Sequence, residues 1–257
     1  MQRALLREVA GTFDSAIVGH GGRSPDPIRA RRQHDTYRRH IAEAGYEVEV
    51  LPGDDRYPDS VFVEDTAVVI DGLAVVTRPG AEERRGEIEE VALALGRYLP
   101  LTRVEAPGTV DGGDVMLLGG TLWVGLSART SSSGAGQLGD IAATRGVRTV
   151  PVPVSQVLHL KSAVLPIDGE TVVVTPGTVD ETLLGGLRIV SEDEGERYRF
   201  SALPLANGRV LVTDSAPETA RAVASLGFDV QPIDVSEMQA ADGGLTCMSI
   251  LYDDEAS

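Results

Sequence analysis

The sequence has little cysteine and few aromatic residues. Cys247 is its single cysteine, and aromatic side chains make up 4% of the 257 residues. A single cysteine excludes an internal disulfide, and a free cysteine is most often a small buried hydrophobe. Gly243 and Gly244 lie just ahead of it, and their lack of a side chain permits a close approach of the backbone. Core packing and nucleophilic catalysis therefore both stay open for Cys247 until its partners are identified.

The sequence also lacks an excess of positive charge and any long apolar run. It carries 23 basic against 39 acidic residues, a net charge of -16, which argues against binding to nucleic acid or to an anionic membrane surface. A small cationic ligand suits this negative net charge better, although an acidic surplus can also serve solubility alone. No apolar run approaches the roughly 20 residues of a membrane span, and residues 1–7 lack a signal-peptide core. These absences predict a soluble cytoplasmic protein with a reduced thiol.

Signatures of metal and cofactor binding are absent as well. The sequence contains no phosphate-binding glycine motif and no nucleotide fingerprint. His20, His34 and His40 have no cysteine or histidine companions at the spacing of a metal site, which favours surface or helical positions for them. The sequence therefore predicts neither a metal nor a cofactor.

The sequence does contain a repeated unit in which two strands are followed by a helix and a third strand. In four copies, the two strands are joined by a pair of residues that is typical of a hairpin turn. These turns are Asp71-Gly72, Gly119-Gly120, Asp168-Gly169 and Asn207-Gly208. The predicted strand pairs span 61–77, 114–126, 162–174 and 202–212. In the helix of the first copy, Ile88, Val91, Ala92 and Leu95 recur at the spacing of one helical face.

The two ends of the chain supply a fifth unit. An N-terminal strand near 4–9, a helix near 27–44 and a strand at 48–50 lack only a partner strand, which the C-terminal segment 246–251 supplies. Five such units predict a closed ring, a pseudo-symmetric α/β propeller that forms a single domain over residues 1–257. An open doubly wound sheet is less consistent with the sequence, because hairpin turns demand antiparallel neighbours.

The chemically active side chains fall at equivalent positions of these units, near the start of the first strand of each pair. They are Asp59, Glu64 and Asp65 in one unit, Asp111 and Asp114 in the next, His159 in the third and Cys247 in the split unit. In a pseudo-symmetric ring, we expect these positions to converge near the axis and to form a site. The segment 111–114 on its own is also typical of a turn with capping carboxylates. A cysteine and a histidine at matching positions favour the functional interpretation.

Six segments of the sequence resemble the dimethylarginine dimethylaminohydrolases. They run in order almost from end to end: Phe62–Thr66, Thr77–Glu82 with Arg84-Arg85, Pro107–Asp114, Leu126–Thr130, Val157–Ser162 and Gly243–Ser249. The resemblance implies the five-bladed α/β propeller of the guanidine-modifying enzymes, the pentein fold. It also implies hydrolysis of methylated arginines to citrulline and an alkylamine, without a metal or a cofactor.

By this resemblance, Cys247 is the nucleophile that attacks the guanidinium carbon. His159 protonates the departing amine and later activates the water that releases citrulline, and Asp111 orients or polarises His159. The chemistry calls for such a set, because a guanidinium carbon is a poor electrophile and an unprotonated amine is a poor leaving group.

The resemblance also implies a set of substrate contacts. Asp59 and Asp65 are expected to bind the guanidinium group, since a carboxylate accepts parallel N–H bonds from it, and Glu64 is expected to line the same site. Arg84 and Arg129 would hold the α-carboxylate of the substrate. Three further contacts are implied: Ile17 in a mobile lid over residues 14–26, Asp242 beside the nucleophile, and Ser162 close to His159. The assembly is left open, with a homodimer among the options.

Two other functions use the same sequence features. A deiminase acting on unmethylated arginine or another guanidine would employ the same nucleophile and carboxylates, although 257 residues leave no room for the inserted helical domain of full arginine deiminases. A non-catalytic binding protein on this fold is disfavoured by the presence of Cys247, His159 and the guanidinium carboxylates.

Overall fold

Five separate three-stranded sheets form the framework of the protein. The computed structural model describes residues 1–19, 22–191 and 202–254, and the sheets lie within them. The strands are β1 (Gln2–Arg7), β2 (Glu47–Leu51), β3 (Ala67–Ile70), β4 (Leu73–Val76), β5 (Leu101–Arg103), β6 (Val115–Leu118), β7 (Thr121–Leu126), β8 (Arg148–Pro153), β9 (Val164–Pro166), β10 (Thr171–Val174), β11 (Arg188–Ser191), β12 (Ala202–Pro204), β13 (Arg209–Thr213), β14 (Asp229–Ile233) and β15 (Ile250–Asp253). The helices are α1 (Pro27–Glu43), α2 (Ile88–Leu95), α3 (Ser132–Ala143), α4 (Leu160–Ala163), α5 (Pro217–Ser225) and α6 (Ser236–Ala240).

Every sheet, which we call a blade, repeats one topology. Its first strand is antiparallel to the middle strand, and the middle strand is parallel to the third, as in the blade of β3, β4 and β5. A tight turn suffices for the antiparallel pair, whereas a parallel pair needs a longer crossover. In four blades the crossover contains one of the helices α1, α2, α3 and α5, and in the blade of β9–β11 it contains the short 3-10 turn Glu181–Leu184. The predicted repeat and the α/β propeller class are confirmed.

The fifth blade joins the two ends of the chain. β15 pairs with β1 in antiparallel register, with Gln2 opposite Asp253 and Leu5 opposite Ile250, and β1 pairs in parallel with β2. The predicted pairing of the chain ends is therefore present. It holds the segment that carries Cys247 against a blade that begins at the N-terminus.

Local sequence explains several of these elements. Gly119 and Gly120 adopt φ values of 52° and 71° in the turn between β6 and β7, a left-handed conformation that glycine adopts without steric cost. Helix α1 begins with Pro27, and the side chain of Asp26 accepts hydrogen bonds from the backbone N–H groups of Ile28 and Arg29. Both are standard helix-starting features.

The first strand begins later in three blades than the sequence predicts. The segment predicted as a strand from Val61 instead forms 3-10 turns over Pro58–Val61 and Val63–Thr66. Ser162, predicted in a strand, lies in α4, and Thr246–Met248 is a 3-10 turn ahead of β15. A strand would alternate its side chains between two faces, whereas the turns gather polar side chains at one end of each blade.

The first strands of all five blades surround a cavity of about 320 Å³, which we call the axial cavity. Its wall is mainly apolar, with side chains such as Val68, Leu118 and Leu251, and Glu64, Lys161 and Thr246 also line it. Among the described residues, no helix combines the length and the apolar character needed to cross a membrane.

Candidate active site

Most of the predicted site residues line a second, smaller cavity of about 40 Å³, which we call the cleft. Its lining includes Ile17, Asp59, Asp65, Arg84, Arg129, His159, Asp242 and Cys247. The sequence separates these residues by up to 230 positions, because they belong to different blades. In four blades, polar side chains of the site lie in the segment just before the first strand, as the repeats predict.

Cys247 lies in the 3-10 turn between Gly244 and β15. Its Sγ accepts a hydrogen bond from the backbone N–H of Gly244 at 3.3 Å. A Cβ atom at Gly243 would lie 2.2 Å from the ring of Phe62, so glycine is required there for the turn to approach this close. Burial raises the pKa of the Cys247 thiol to about 12, with further contributions from the charges of Glu64 and Asp65. The thiol is therefore neutral near pH 7 when the cleft holds no cation.

His159 precedes α4 and pairs with a buried carboxylate. Its Nε2 lies 3.1 Å from Oδ2 of Asp111, a residue with no exposed surface. Oδ1 of Asp111 accepts a second hydrogen bond from the backbone N–H of Gly80 at 2.8 Å, which fixes the carboxylate. Burial lowers the pKa of His159, but Asp65, Asp111 and Asp114 outweigh it and raise the pKa to about 9. The imidazole is therefore protonated near pH 7, as a proton donor to a leaving group must be.

Gly113 brings the Asp111 segment against this imidazole. A Cβ atom there would lie 2.5 Å from Nδ1 of His159, and its backbone N–H donates to Oδ1 of Asp65 at 3.0 Å. Asp114 contacts its surroundings differently, because its carboxylate accepts from the backbone N–H of Leu160 and from the hydroxyl of Ser127. These bonds tie the 111–114 turn to α4 and β7.

Asp65 and Arg84 form a buried ion pair in the lining of the cleft. Nη1 of Arg84 lies 2.6 Å from Oδ2 of Asp65, and Nε and Nη2 donate to the carboxylate of Glu87. His159, Arg84 and the Gly113 N–H overcome the effect of burial and lower the pKa of Asp65 to about 2. Glu87 is a partner that sequence reasoning missed, and its place three residues after Arg84 was the available signal. Burial raises the pKa of Glu87 to about 7 despite Arg84.

Ile17, from the segment predicted as a lid, lines the cleft, and backbone N–H groups of this segment bond to two cleft carboxylates. The backbone N–H of Ile17 donates to both oxygens of Asp59 at 3.2 Å. That of Gly19 donates to Oδ2 of Asp242 at 2.5 Å. Asp242 adopts φ of 57°, a left-handed conformation that aspartate tolerates better than most residues. His20 lies outside the described residues, whereas His34 and His40 lie on α1.

Arg129 and Ser162 occupy the neighbourhood that the resemblance implies. Arg129 lines the cleft, with Nη1 3.7 Å from Oδ2 of Asp111. Ser162 contacts His159 through the backbone, its N–H donating to the His159 carbonyl oxygen at 3.0 Å. Ser162 does not belong to the cleft lining. Roles in substrate binding for both residues stay predictions.

Glu64 differs from its predicted position in the substrate site. One carboxylate oxygen lies 2.5 Å from Nζ of Lys161, the other accepts from the hydroxyl of Thr246 at 2.9 Å, and Glu64 lines the axial cavity. Glu64 and Asp65 are consecutive residues of one 3-10 turn, so their side chains leave the backbone in different directions. Asp65 points to the cleft and Glu64 to the axial cavity.

Asp65, Asp111 and His159 each offer one ligand atom, and these atoms lie within 4.8 Å of one another. The two carboxylates already accept hydrogen bonds from Arg84, Gly113 and Gly80, and His159 bonds to Asp111. A role of the three side chains in proton transfer stays a prediction.

Comparison with known proteins adds function to this geometry. No protein-family model matches the chain. The N(G),N(G)-dimethylarginine dimethylaminohydrolase of Pseudomonas aeruginosa is 36% identical over 93% of the chain and 94% of its own length. The enzyme of the same name from Streptomyces coelicolor is 39% identical over 98% of the chain and 99% of its own length.

Two solved structures share the fold over nearly the whole chain, both with a TM-score of 0.93 and 33% identity. One is the Pseudomonas aeruginosa enzyme with a cysteine replaced by serine, in complex with citrulline, and it matches 97% of this chain and 98% of its own. The other is a dimethylarginine dimethylaminohydrolase with a histidine replaced by glycine, as an adduct with S-methyl-L-thiocitrulline, matching 98% of this chain and 100% of its own.

Proposed function

The chain belongs to the dimethylarginine dimethylaminohydrolase family, and we propose that its cleft hydrolyses N-methylated arginines to citrulline and the methylated amine through Cys247. One observation carries the proposal: Cys247 and the Asp111-backed His159 converge on the same cleft as Asp59 and Asp65. A sulfur nucleophile, a protonated imidazole and two carboxylates for a guanidinium are the groups that this reaction requires.

Substrate binding prepares the nucleophile. The guanidinium of the substrate donates to Asp59 and Asp65, and its positive charge then lies beside Sγ of Cys247. This charge opposes the effects of burial and of Asp65 that raise the thiol pKa, so the thiol loses its proton to solvent when substrate is bound. Arg84 and Arg129 provide positive charge for the α-carboxylate, and the Ile17 segment covers the bound molecule.

The first half of the reaction forms a covalent intermediate. The Cys247 thiolate attacks the guanidinium carbon and forms an S–C bond. As the bond from that carbon to the methylated nitrogen breaks, protonated His159 transfers its proton to this nitrogen, and the neutral amine leaves. An S-alkylthiouronium on Cys247 remains, and His159 is neutral.

The second half returns the enzyme to its starting state. Neutral His159 accepts a proton from water as the water oxygen attacks the same carbon. The S–C bond breaks as the remaining proton of the added hydroxyl passes to the sulfur, citrulline leaves with the new oxygen, and the Cys247 thiol and protonated His159 are regenerated. Asp111 stabilises His159 whenever it is protonated, because their 3.1 Å contact is a charge-assisted hydrogen bond in that state.

Finer assignments complete the proposal. Residues 1–257 act as one catalytic domain, since the site draws on segments near both chain ends. The protein works in a reducing, cytoplasmic compartment, because the mechanism needs Cys247 as a free thiol. It binds no nucleic acid, given its net charge of -16. Light scattering tests whether it forms a homodimer.

Product analysis tests the function. The purified protein is incubated with asymmetric dimethylarginine, monomethylarginine, arginine and agmatine, and citrulline or carbamoylputrescine is measured together with the released amine. We expect equal amounts of citrulline and dimethylamine from dimethylarginine, and no product from Cys247→Ser, which still binds substrate. Ammonia from arginine with dimethylarginine untouched would favour a deiminase. The absence of product from all four compounds would contradict the enzymatic proposal.

A further inference from the structure

A layer of paired charges lies between the cleft and the axial cavity, and the proposed mechanism does not use it. The layer consists of Glu64, Lys161 and Thr246, all of which line the axial cavity. Nζ of Lys161 lies 2.5 Å from Oε1 of Glu64, and the hydroxyl of Thr246 donates to Oε2 at 2.9 Å. The side chains of Lys161 and Glu64 are 16% and 10% exposed, so water screens their charges only weakly.

Each member of this layer lies within two positions of a residue of the cleft. Glu64 precedes Asp65, Thr246 precedes Cys247, and Lys161 follows His159 by two positions. The hydrogen bond from Thr246 to Glu64 connects the turn that carries the nucleophile to the turn that carries a guanidinium carboxylate. The layer is therefore coupled to the reacting groups through the backbone as well as through space.

Lysine at position 161 is unusual for this chain. The sequence has 23 basic residues, and Lys161 is its only lysine, all the others being arginine. An ammonium is a compact point charge, whereas a guanidinium is broad and planar. At this one position the cation is a lysine ammonium, enclosed against the carboxylate of Glu64.

We propose that Lys161 is a positioning residue for Cys247: its ion pair with Glu64 cancels the negative charge beneath the sulfur and, through Thr246, holds the nucleophile's turn in place. Glu64 opposes ionisation of the Cys247 thiol and Lys161 favours it. Without Lys161, an uncompensated carboxylate would lie under the thiol at the moment when it must become a thiolate. The inference rests on Cys247 being the nucleophile of the proposed function.

The other charged groups around Cys247 belong to the cleft wall. They are Asp59, Asp65, Arg84, Arg129, His159 and Asp242. Tyr37 lies behind the turn, hydrogen-bonded to Ser249 at 2.7 Å, and burial raises its pKa so that it stays neutral. The substitutions that test Lys161 leave all of these groups unchanged, so differences in thiol ionisation report on the Lys161–Glu64 pair.

The test measures the thiol directly and does not depend on turnover. Because the chain has one cysteine, the rate of alkylation by iodoacetamide between pH 7 and 9.5 reads Cys247 alone. One removed neighbouring charge shifts a buried pKa by about one unit or more, so we expect Lys161→Met to be alkylated about tenfold more slowly than the wild type at pH 8. Glu64→Gln is expected to react about tenfold faster, and the double variant to lie within about threefold of the wild type.

Two further variants separate charge from packing. Lys161→Arg keeps the positive charge and is expected to react within about threefold of the wild type. Arg103→Met removes one partner of an exposed ion pair with Glu89 and should leave the alkylation rate unchanged. Circular dichroism verifies the fold of each variant, and if Lys161→Met does not fold, Glu64→Gln still gives a predicted acceleration.

Opposite shifts in Lys161→Met and Glu64→Gln, cancelling in the double variant, support the proposal. Shifts in the same direction, or rates that differ no more than that of Arg103→Met, would overturn it. Because alkylation needs no substrate, either result leaves the test of dimethylarginine hydrolysis independent.

Discussion

At the scale of single residues, the site is organised by two carboxylates that bond to different partners. Asp111 bonds to His159 and to a backbone N–H, and has no exposed surface. Asp65 bonds to Arg84 and to Gly113 while lining the cleft. Together they outweigh the effect of burial on the pKa of His159 and keep the imidazole protonated near pH 7. The Cys247 thiol carries no charge in the empty cleft, because burial raises its pKa.

Replacing Asp111 with asparagine should make protonated His159 less stable while keeping a side chain of the same size at position 111. The asparagine oxygen can still accept from Gly80, but its amide N–H₂ would face Nε2 of His159 and favour the neutral imidazole. We expect the pKa of His159 to fall and kcat at neutral pH to drop about 10- to 100-fold. NMR titration of His159 measures the first effect, and steady-state kinetics the second. An unchanged His159 pKa would contradict the assignment of Asp111.

His159 also links folding stability to pH. Its pKa rises from an ordinary value of 6.5 to about 9 in the folded protein, so its contribution is fully present below pH 6.5 and is lost as pH rises through 9. A shift of this size corresponds to about 3 kcal/mol. We expect the free energy of unfolding, from urea titrations, to fall over this window, and to fall much less in His159→Gln. Equal slopes in both proteins would rule this linkage out.

At the scale of elements, the short turns before the first strands carry more of the site's side chains than the strands themselves do. Cys247, Asp65 and Asp59 lie in 3-10 turns, and His159 lies immediately before α4. The strands fix the ends of these turns, and the turns aim side chains inward. Close backbone contacts at Gly113 and Gly243 leave little room for the turns to shift.

Gly243→Ala tests whether the turn that carries Cys247 depends on its close contact with Phe62. The added methyl group would lie 2.2 Å from the Phe62 ring, so the turn carrying Cys247 must move. Overpacking of this kind costs about 1–3 kcal/mol, and we expect a lower melting temperature together with a loss of kcat of at least about tenfold. Gly169→Ala is the matched control, because nothing lies within 4 Å of its added atom. Normal activity in Gly243→Ala would show that the turn is not held tightly.

The sequence predicts the elements better than it predicts their edges. The hairpin turns and the pairing of the chain ends follow from turn residues and apolar periodicity, which are local signals. The start of β3 does not, because apolar residues such as Val61 and Val63 suit a 3-10 turn as well as a strand. The direction of Glu64 was also beyond the sequence, since only the ion pair with Lys161 decides which side of the turn it faces.

At the scale of the whole molecule, closure of the ring brings distant segments to one site and surrounds it with negative charge. The pairing of β1 with β15 places Cys247 beside carboxylates that precede it by more than 180 positions. The net charge of -16 gives an attractive field for a cationic substrate over distances of about 10 Å at ordinary ionic strength.

This field predicts a salt dependence. Raising the ionic strength from about 0.01 to 0.3 M shortens the range of the field several-fold, so kcat/KM for dimethylarginine should decrease. The rate of Cys247 alkylation by neutral iodoacetamide is the control and should change little. A kcat/KM that does not depend on salt would show that the acidic surplus does not assist substrate capture.

The most direct test of the account is the detection of the covalent intermediate. Turnover of asymmetric dimethylarginine is quenched with acid, and the protein is analysed by intact and peptide mass spectrometry. We expect an added mass equal to the substrate less dimethylamine, located on Cys247, and absent in Cys247→Ser. Rapid formation of citrulline without this adduct, or with full activity in Cys247→Ser, would contradict covalent catalysis by Cys247.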